Sequence, residues 1–424
     1  MLPLILPVGA LLFGVALLLL GSGLLNTLLA IRGGLEGYSD SGMGFIMSGY
    51  FVGFFIGTFV ALPLIQRIGH IRTFAFCASI GCGSVLLHAL FVDPIAWIFL
   101  RIITGISLVV LYTVIESWLN EQTPAAQRGR VFAIYMVVNL VALALAQQLI
   151  RLGSAETFTL FALSAILVSF SLLPVTWTRM SQPHVTVVHK VPFKALYKAA
   201  PVAMAGSLLS GIAMGAFWGL SAVYAHQIGL DSAGIATFMS CGIIGGALLQ
   251  YPVGRYSDTH DRRKVLAGVC GAAALAALLL AALSMSGQWV LLAIGIYGSL
   301  AFVIYPITVA HLTDHLDPTH IISGSSGLLL MHGLGAAIGP ALAGQFMGIL
   351  GPQALPLFFA VMQTVLLIFT VTKLRLTEDP PEDHTTHFVP MVRTTPTVLE
   401  MLPEEEQEEW DGTDTQPHAR DDAA

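Results

Sequence analysis

Two charged side chains, Arg101 and Glu116, lie within one long apolar stretch, residues 95–119. If this stretch crosses a membrane as a helix, each charge costs about 2.5–3.5 kcal/mol and needs a partner or a water-filled cavity. Along a helix the two residues are about 22 Å apart, too far to pair, but an offset of about 60° lets both face one side. Arg101 is therefore a candidate for holding an anionic or polar group, and Glu116 for a protonatable gate.

Each of these two charges also has a simpler structural interpretation. Arg101 lies about two turns inside the stretch, so its long side chain can reach the nearer membrane surface. Glu116 lies near the other end, where a structural ion pair with Arg67, Arg128 or Arg130 is the alternative. Both roles of Glu116 are compatible if such a pair breaks when the protein changes conformation.

A second cluster with chemical potential is the run from Gly254 to Lys264, with the sequence Gly-Arg-Tyr-Ser-Asp-Thr-His-Asp-Arg-Arg-Lys. Gly254 allows another helix to approach closely, and Asp258 lies at a helix C-terminus, where the helix dipole disfavours a negative charge. Asp258 therefore needs a cation, and Arg262 or Arg263 across the turn is the nearest. Such a cluster can hold the helix ends together in one conformation and let them separate in another. The alternative is a short loop whose charges only keep it at the membrane surface.

Composition determines which elements must position these residues. Hydrophobic residues make up 55% of the 424-residue chain and charged residues only 10%, against roughly 25% charged in a soluble domain. This composition excludes an ordinary soluble enzyme, and 19 Lys and Arg cannot build a nucleic-acid-binding surface. The apolar stretches predict an all-α integral membrane protein with twelve transmembrane helices. They lie at residues 5–30, 43–65, 73–92, 95–119, 130–152, 157–178, 200–226, 234–256, 265–286, 288–312, 323–349 and 354–374.

The distribution of charge predicts the orientation. Most Lys and Arg residues of the apolar body lie in the loops that follow even-numbered helices, which places both termini in the cytoplasm by the positive-inside rule. Residues 377–424 hold 14 of the 25 acidic residues and little apolar content. We therefore expect an acidic, disordered cytoplasmic tail.

The chain also divides into two similar halves. Its longest internal polar stretch, residues 179–199, separates six predicted helices from six others. Weak matches recur at an offset of 192 residues, among them Trp97 with Trp289 and Arg72 with Lys264. These observations predict an N-terminal bundle (1–178), a cytoplasmic linker (179–199) and a C-terminal bundle (200–376). Parallel six-helix repeats are typical of carriers that bind substrate between two lobes.

The run from Gly254 to Lys264 resembles the G-x-x-x-D-x-x-G/D-R-R/K loop signature of the major facilitator superfamily. A second copy after the second helix, from Gln66 to Arg72, is degraded, with Gln in place of the usual Asp. Arg101 and Gly105 resemble the R-x-x-x-G pattern of the family's fourth helix, in which the arginine handles substrate or protons. The runs Glu116–Asn120, Arg128–Arg130 and Ser323–Gly327 resemble a bacterial subgroup of transporters, most of them uncharacterised.

The resemblance implies the major facilitator fold, two pseudosymmetric six-helix bundles, with helices 1, 4, 7 and 10 lining a central cavity and helices 2, 5, 8 and 11 beside them. For any single polar residue, a hydrogen bond between helices or a place at the membrane interface is the alternative. The candidates for solute contact are Asn26, Arg101, Tyr112, Trp218, Tyr297 and Tyr305. The candidates for proton coupling or gating are Glu116, His332, Gly254, Asp258, Arg262 and Arg263.

The function that these patterns predict is secondary active transport of a small solute by alternating access, with proton coupling as an option. We expect a monomer in the bacterial inner membrane, no cofactor, no metal site and no enzymatic activity, since no catalytic motif is found. The alternative is a non-transporting receptor or scaffold that acts through the acidic tail.

Overall fold

The computed structural model describes residues 2–177, 192–316, 320–376 and 388. Within these residues, twelve helices are long and apolar enough to cross a membrane. We call them spans 1 to 12 in chain order. They are Val8–Leu35, Asp40–Ile68, His70–Leu90, Pro94–Gln122, Arg128–Leu152, Thr159–Trp177, Pro201–Gln227, Ser232–Asp258, Arg262–Ala282, Trp289–Thr313, Ile321–Leu350 and Ala354–Leu376.

Each span overlaps one of the twelve predicted stretches, so apolar length is confirmed as the signal that defines the fold. Three spans are built from two helical segments each. They are span 5 from the α-helix Arg128–Gln148 and the 3-10 helix Leu149–Leu152, span 6 from Thr159–Phe170 and Leu172–Trp177, and span 8 from Ser232–Leu248 and Gln250–Asp258. A further short helix, Phe193–Ala199, lies within the predicted linker. The predicted boundaries at 178 and 199 stay predictions, because residues 178–191 lie outside the described part of the chain, as does the tail except Phe388.

Helix direction defines two faces of the molecule. The distal face carries the turns at residues 35–40, 90–94, 227–232 and 350–354, and the terminal face carries the turns at 68–70 and 258–262 and the end of span 10. Spans 2, 4 and 8 begin on the distal face with a side chain that accepts a hydrogen bond from a backbone N–H of the first turn. These N-caps are Ser39, Asp93 and Asp231. They accept hydrogen bonds from backbone N–H groups that have no partner within the helix and could find none in lipid.

Close packing of span 2 on span 4 depends on small residues. Gly49, Gly53 and Gly57 repeat every fourth residue and face the backbone of span 4, where a methyl group at any of them would collide. Gly105 faces span 2 in the same way. Without a hydrophobic driving force between helices in lipid, such van der Waals contact holds neighbouring spans together. Spans 7 and 11 also pack through small residues that face backbone atoms of the partner span, namely Gly211, Gly215, Gly335 and Gly339.

Contacts between spans 1–6 and spans 7–12 cluster towards the distal face. Span 2 meets span 11 where Ser48 accepts a hydrogen bond from the Ala341 amide at 2.9 Å. Span 5 meets span 8 where Gln148 donates to Ser240 at 2.6 Å. The distal end of the interface between the halves is therefore closed.

Candidate functional site

A cavity lies between the two halves and encloses about 1000 Å³ of space, part of it continuous with solvent. Spans 2, 7, 10 and 11 line it. The lining includes Tyr50, Phe51, Phe54, Phe55, Thr58, Met214, Trp218, Phe302, Tyr305, Leu329, Leu330 and His332.

The aromatic wall from span 2 follows from its glycine repeat. Since Gly49, Gly53 and Gly57 are turned towards span 4, the residues on another face of the helix are free to point towards the C-terminal half. Aromatic residues at 50, 51, 54 and 55 occupy that face and line the cavity. This wall was not predicted from the sequence, although the glycine spacing and the aromatic spacing are both visible in Gly49-Tyr-Phe-Val-Gly-Phe-Phe-Ile-Gly57.

Three of the predicted site residues line the cavity: Trp218, Tyr305 and His332. The rings of Tyr305 and His332 lie 4.3 Å apart, tilted by 42°. Ser210 on span 7 lies 3.3 Å from His332 Nδ1, which fixes the orientation of the imidazole. Tyr305 is only 8% exposed, and its hydroxyl has no hydrogen-bond partner among the described residues.

Arg101 lies behind the cavity wall rather than among the lining residues. It is 1% exposed, its Nη2 donates to Asn26 Oδ1 at 2.7 Å, and its guanidinium carbon lies 4.6 Å from the centre of the Tyr50 ring. Asn26 Nδ2 in turn donates to the Trp218 backbone oxygen at 2.6 Å. This chain of contacts joins span 4, span 1 and span 7, so it crosses between the halves.

The remaining predicted solute contacts, Tyr112 and Tyr297, are fully buried and are not among the residues that line this cavity. Tyr112 packs near Phe54, with ring centres 6.3 Å apart. Tyr297 stacks on Phe359 of span 12 at 4.7 Å, almost parallel. Their direct contact with a solute stays a prediction.

Glu116 is fully buried near the terminal face, where Tyr135 of span 5 donates a hydrogen bond to its Oε1 at 2.7 Å. The predicted partners were Arg67, Arg128 and Arg130. A tyrosine was not considered, because its hydroxyl lies 19 residues further along the chain on another span.

Of the two predicted cations for Asp258, Arg262 is the one that pairs with it, with Nη1 3.0 Å from Asp258 Oδ1. Arg262 Nε also pairs with Asp314 Oδ2 at 2.6 Å, which links the start of span 9 to the end of span 10. Arg263 instead lies 3.5 Å from Asp261. Arg262 therefore joins the terminal ends of three spans of the C-terminal half.

The sequence predicts that another helix approaches Gly254 closely, but its close neighbour is a residue of the tail. The Phe388 ring lies over Gly254, where a methyl group would collide with it. The Phe388 amide donates to Asp258 Oδ1 at 2.8 Å. The ring packs against an apolar cluster that includes Val253 and Val265.

Sequence relatives agree with the architecture. The sequence profile of the Major Facilitator Superfamily matches residues 11–200 and 203–402. The uncharacterised MFS-type transporter YcaD of Shigella flexneri serotype 5b (strain 8401) is 28% identical over 375 residues, which cover 87% of this chain and 95% of that protein. YcaD of Escherichia coli O139:H28 (strain E24377A / ETEC) matches with the same identity and coverage.

Solved structures share the fold at low sequence identity. The nucleoside transporter NupG superposes with a TM-score of 0.68 at 16% identity, covering 87% of this chain and 99% of that one. A D-xylose–proton symporter superposes with a TM-score of 0.65 at 15% identity, covering 87% and 96%. The profile match spans most of the chain, and the twelve helices form the matching fold. This multi-pass membrane protein therefore belongs to the major facilitator superfamily, a family of transporters and not of enzymes.

Proposed function

We propose that this transporter moves a small solute by alternating access, with the cavity between spans 2, 7, 10 and 11 as its binding site. The observation that supports this is the uneven closure of the interface between the halves. Hydrogen bonds that involve Asn26, Ser48 and Gln148 cross it towards the distal face, while the cavity lies further along the same interface. Rocking of the halves about the cavity would open the distal face and close the terminal one.

The ion pairs at the terminal face support a role in this motion. Arg262 holds Asp258 and Asp314 together, so the ends of spans 8, 9 and 10 would move as one unit. In this proposal the cluster holds the terminal ends together in one conformation, as the signature loop predicts. Arg263 belongs to the same cluster through its ion pair with Asp261.

Proton coupling is a further part of the proposal. His332 lines the cavity, and Glu116 is buried beside Tyr135. In this proposal each side chain takes up a proton from one side of the membrane in one conformation and releases it to the other side in the other conformation. We expect an imposed pH gradient to drive flux of the solute, and we expect His332→Gln to abolish this dependence. If the flux does not depend on the gradient, proton coupling is wrong, but the proposed transport of a solute still stands. Because one chain forms the whole cavity, we propose that a monomer is sufficient.

The experiment that tests alternating access measures two distances between spin labels in proteoliposomes. One pair, Leu35 and Leu350, reports on the distal face, and the other, Gln66 and His260, on the terminal face; all four residues are exposed. Between pH 8 and pH 5, or with a transported solute, we expect the distal distance to lengthen while the terminal distance shortens.

The matched control is a pair on the distal face within one half, Leu35 and Leu152, both exposed. Its distance should stay constant, because the halves are expected to move as units. If the two interface pairs lengthen or shorten together, or show a single distance under every condition, alternating access is wrong for this protein.

A further inference from the structure

We propose that the cavity takes an uncharged, flat solute with an aromatic or conjugated body and one hydrogen-bonding edge. This inference rests on the proposed function, since it names the substrate class of the same site. Three properties of the cavity lead to it: the absence of fixed charge in its lining, the arrangement of its aromatic walls and one unsatisfied hydroxyl.

The first property is charge. Among the described residues that line the cavity, none is Asp, Glu, Lys or Arg. Arg101, which lies behind the wall, is 1% exposed and already binds Asn26 and the face of Tyr50. An ionised solute would lose its hydration shell without gaining a counter-charge, which is a large cost in an apolar site. A neutral solute avoids that cost.

The second property is shape. Span 2 contributes Phe51, Phe54 and Phe55 on one side of the cavity, and the other half contributes Trp218 and Phe302. The Trp218 and Phe302 rings meet edge to face, with centres 5.7 Å apart, so they form a continuous aromatic surface. Aromatic pairs contribute about 0.5–1.5 kcal/mol beyond the area they bury. A planar ligand can contact both walls at once, whereas a saturated ring system of similar size is thicker and stacks poorly.

The third property is the polar edge that Tyr305 and His332 form. The Tyr305 hydroxyl is buried, borders the cavity and has no hydrogen-bond partner among the described residues. A buried polar group without a partner costs about 1–3 kcal/mol, and a ligand oxygen or nitrogen would recover much of this cost. His332, 4.3 Å from Tyr305 between ring centres, offers a second donor or acceptor beside it. The ligand edge should therefore carry both kinds of group, as a primary amide does.

A matched series of two-ring compounds tests charge and flatness separately. The probes are 2-naphthamide (neutral and flat), 2-naphthoate (anionic), 2-naphthylmethylammonium (cationic) and decahydronaphthalene-2-carboxamide (neutral and not flat). Binding to the purified full chain in detergent is measured by calorimetry. We expect 2-naphthamide to bind at least tenfold more tightly than either ion, and several-fold more tightly than the saturated amide.

The hydroxyl is tested with Tyr305→Phe, which removes one oxygen and preserves the ring. The lost neutral hydrogen bond should weaken 2-naphthamide binding by roughly two- to tenfold. The control is Tyr251→Phe, because Tyr251 on span 8 is 69% exposed and lies outside the cavity. Its binding constant should equal that of the unmodified protein.

The outcomes separate this inference from the proposed function. Tightest binding by 2-naphthoate, equal binding of all four probes, no binding of any probe, or no effect of Tyr305→Phe would overturn the inference and leave transport intact. If radiolabelled 2-naphthamide binds as expected but shows no counterflow in proteoliposomes, the substrate site is supported and the carrier function is not.

Discussion

Asn26 uses both ends of its amide, and the two ends hold different parts of the protein. Its Oδ1 accepts from Arg101 within the N-terminal half, and its Nδ2 donates to the Trp218 carbonyl across the interface. Reversing the amide would place oxygen against oxygen and nitrogen against a guanidinium, so the neighbours dictate its orientation. The Asn26 side chain therefore gives the buried guanidinium a hydrogen-bond acceptor and also links the two halves.

Two substitutions at this residue separate these effects. Asn26→Asp keeps an oxygen for Arg101 but loses the donor to Trp218, so we expect a stable protein whose distal face opens more often. Asn26→Leu loses both bonds, and the charge-assisted one should cost about 2 kcal/mol of unfolding free energy. Thermal unfolding measures stability, and alkylation of Ser48→Cys, after replacement of the four native cysteines, measures opening. Equal alkylation rates with Asn and Asp at position 26 would contradict a role in closure.

Residue-level reasoning from the sequence was successful where partners are close along the chain. The sequence predicts Arg262 or Arg263, both just across the turn, as the cation for Asp258, and Arg262 is the one that pairs with it. Asp314 was not predicted as a partner of Arg262, nor Tyr135 as a partner of Glu116. In both pairs the two residues belong to different spans. Spacing along one helix carries no information about which other helix lies beside it.

At the scale of elements, glycine rows decide how close the spans come. Gly44 of span 2 and Gly344 of span 11 face each other at the distal end, and a methyl group on Gly344 would lie 2.6 Å from the Asp40 carbonyl oxygen. No side chain intervenes, so the halves meet backbone to backbone. The conformation with a closed distal face therefore depends on the absence of two β-carbons.

We expect Gly344→Val to displace span 11 from span 2 and to disfavour the closed distal face by about 1–3 kcal/mol, the usual cost of overpacking. The spin-label distance between Leu35 and Leu350 should then lengthen without added solute. Gly268→Val on span 9 is the control, because a β-carbon there meets no atom within 4 Å. An unchanged distance in Gly344→Val would show that the spans separate by another contact.

Apolar length predicted every span, since a helix of sufficient length and hydropathy needs no knowledge of its neighbours. The predicted lining by helices 1, 4, 7 and 10 differs from the cavity described here, to which spans 2, 7, 10 and 11 contribute. The Asn26–Trp218 contact and the Tyr50 ring lie between Arg101 and that cavity. The spacing of residues within one span carries no information about which spans border a space between them.

At the scale of the whole molecule, an even number of spans places both ends of the apolar body on one face, and the basic loops predict that this face is cytoplasmic. Green fluorescent protein fused at either terminus should fluoresce, because it folds in the cytoplasm. Alkaline phosphatase inserted at Gly229, in the turn after span 7, should be active, because that turn would lie in the periplasm. Phosphatase activity at a terminal fusion would contradict the predicted orientation.

The contact of Phe388 with Gly254 and Asp258 gives the C-terminal segment a fixed point of attachment on the transporter. A force applied to the chain beyond residue 388 would act on this contact, and through it on the turn between spans 8 and 9. The same turn contains the Arg262 ion pairs, so the tail is mechanically connected to the part of the C-terminal half that holds three helix ends together.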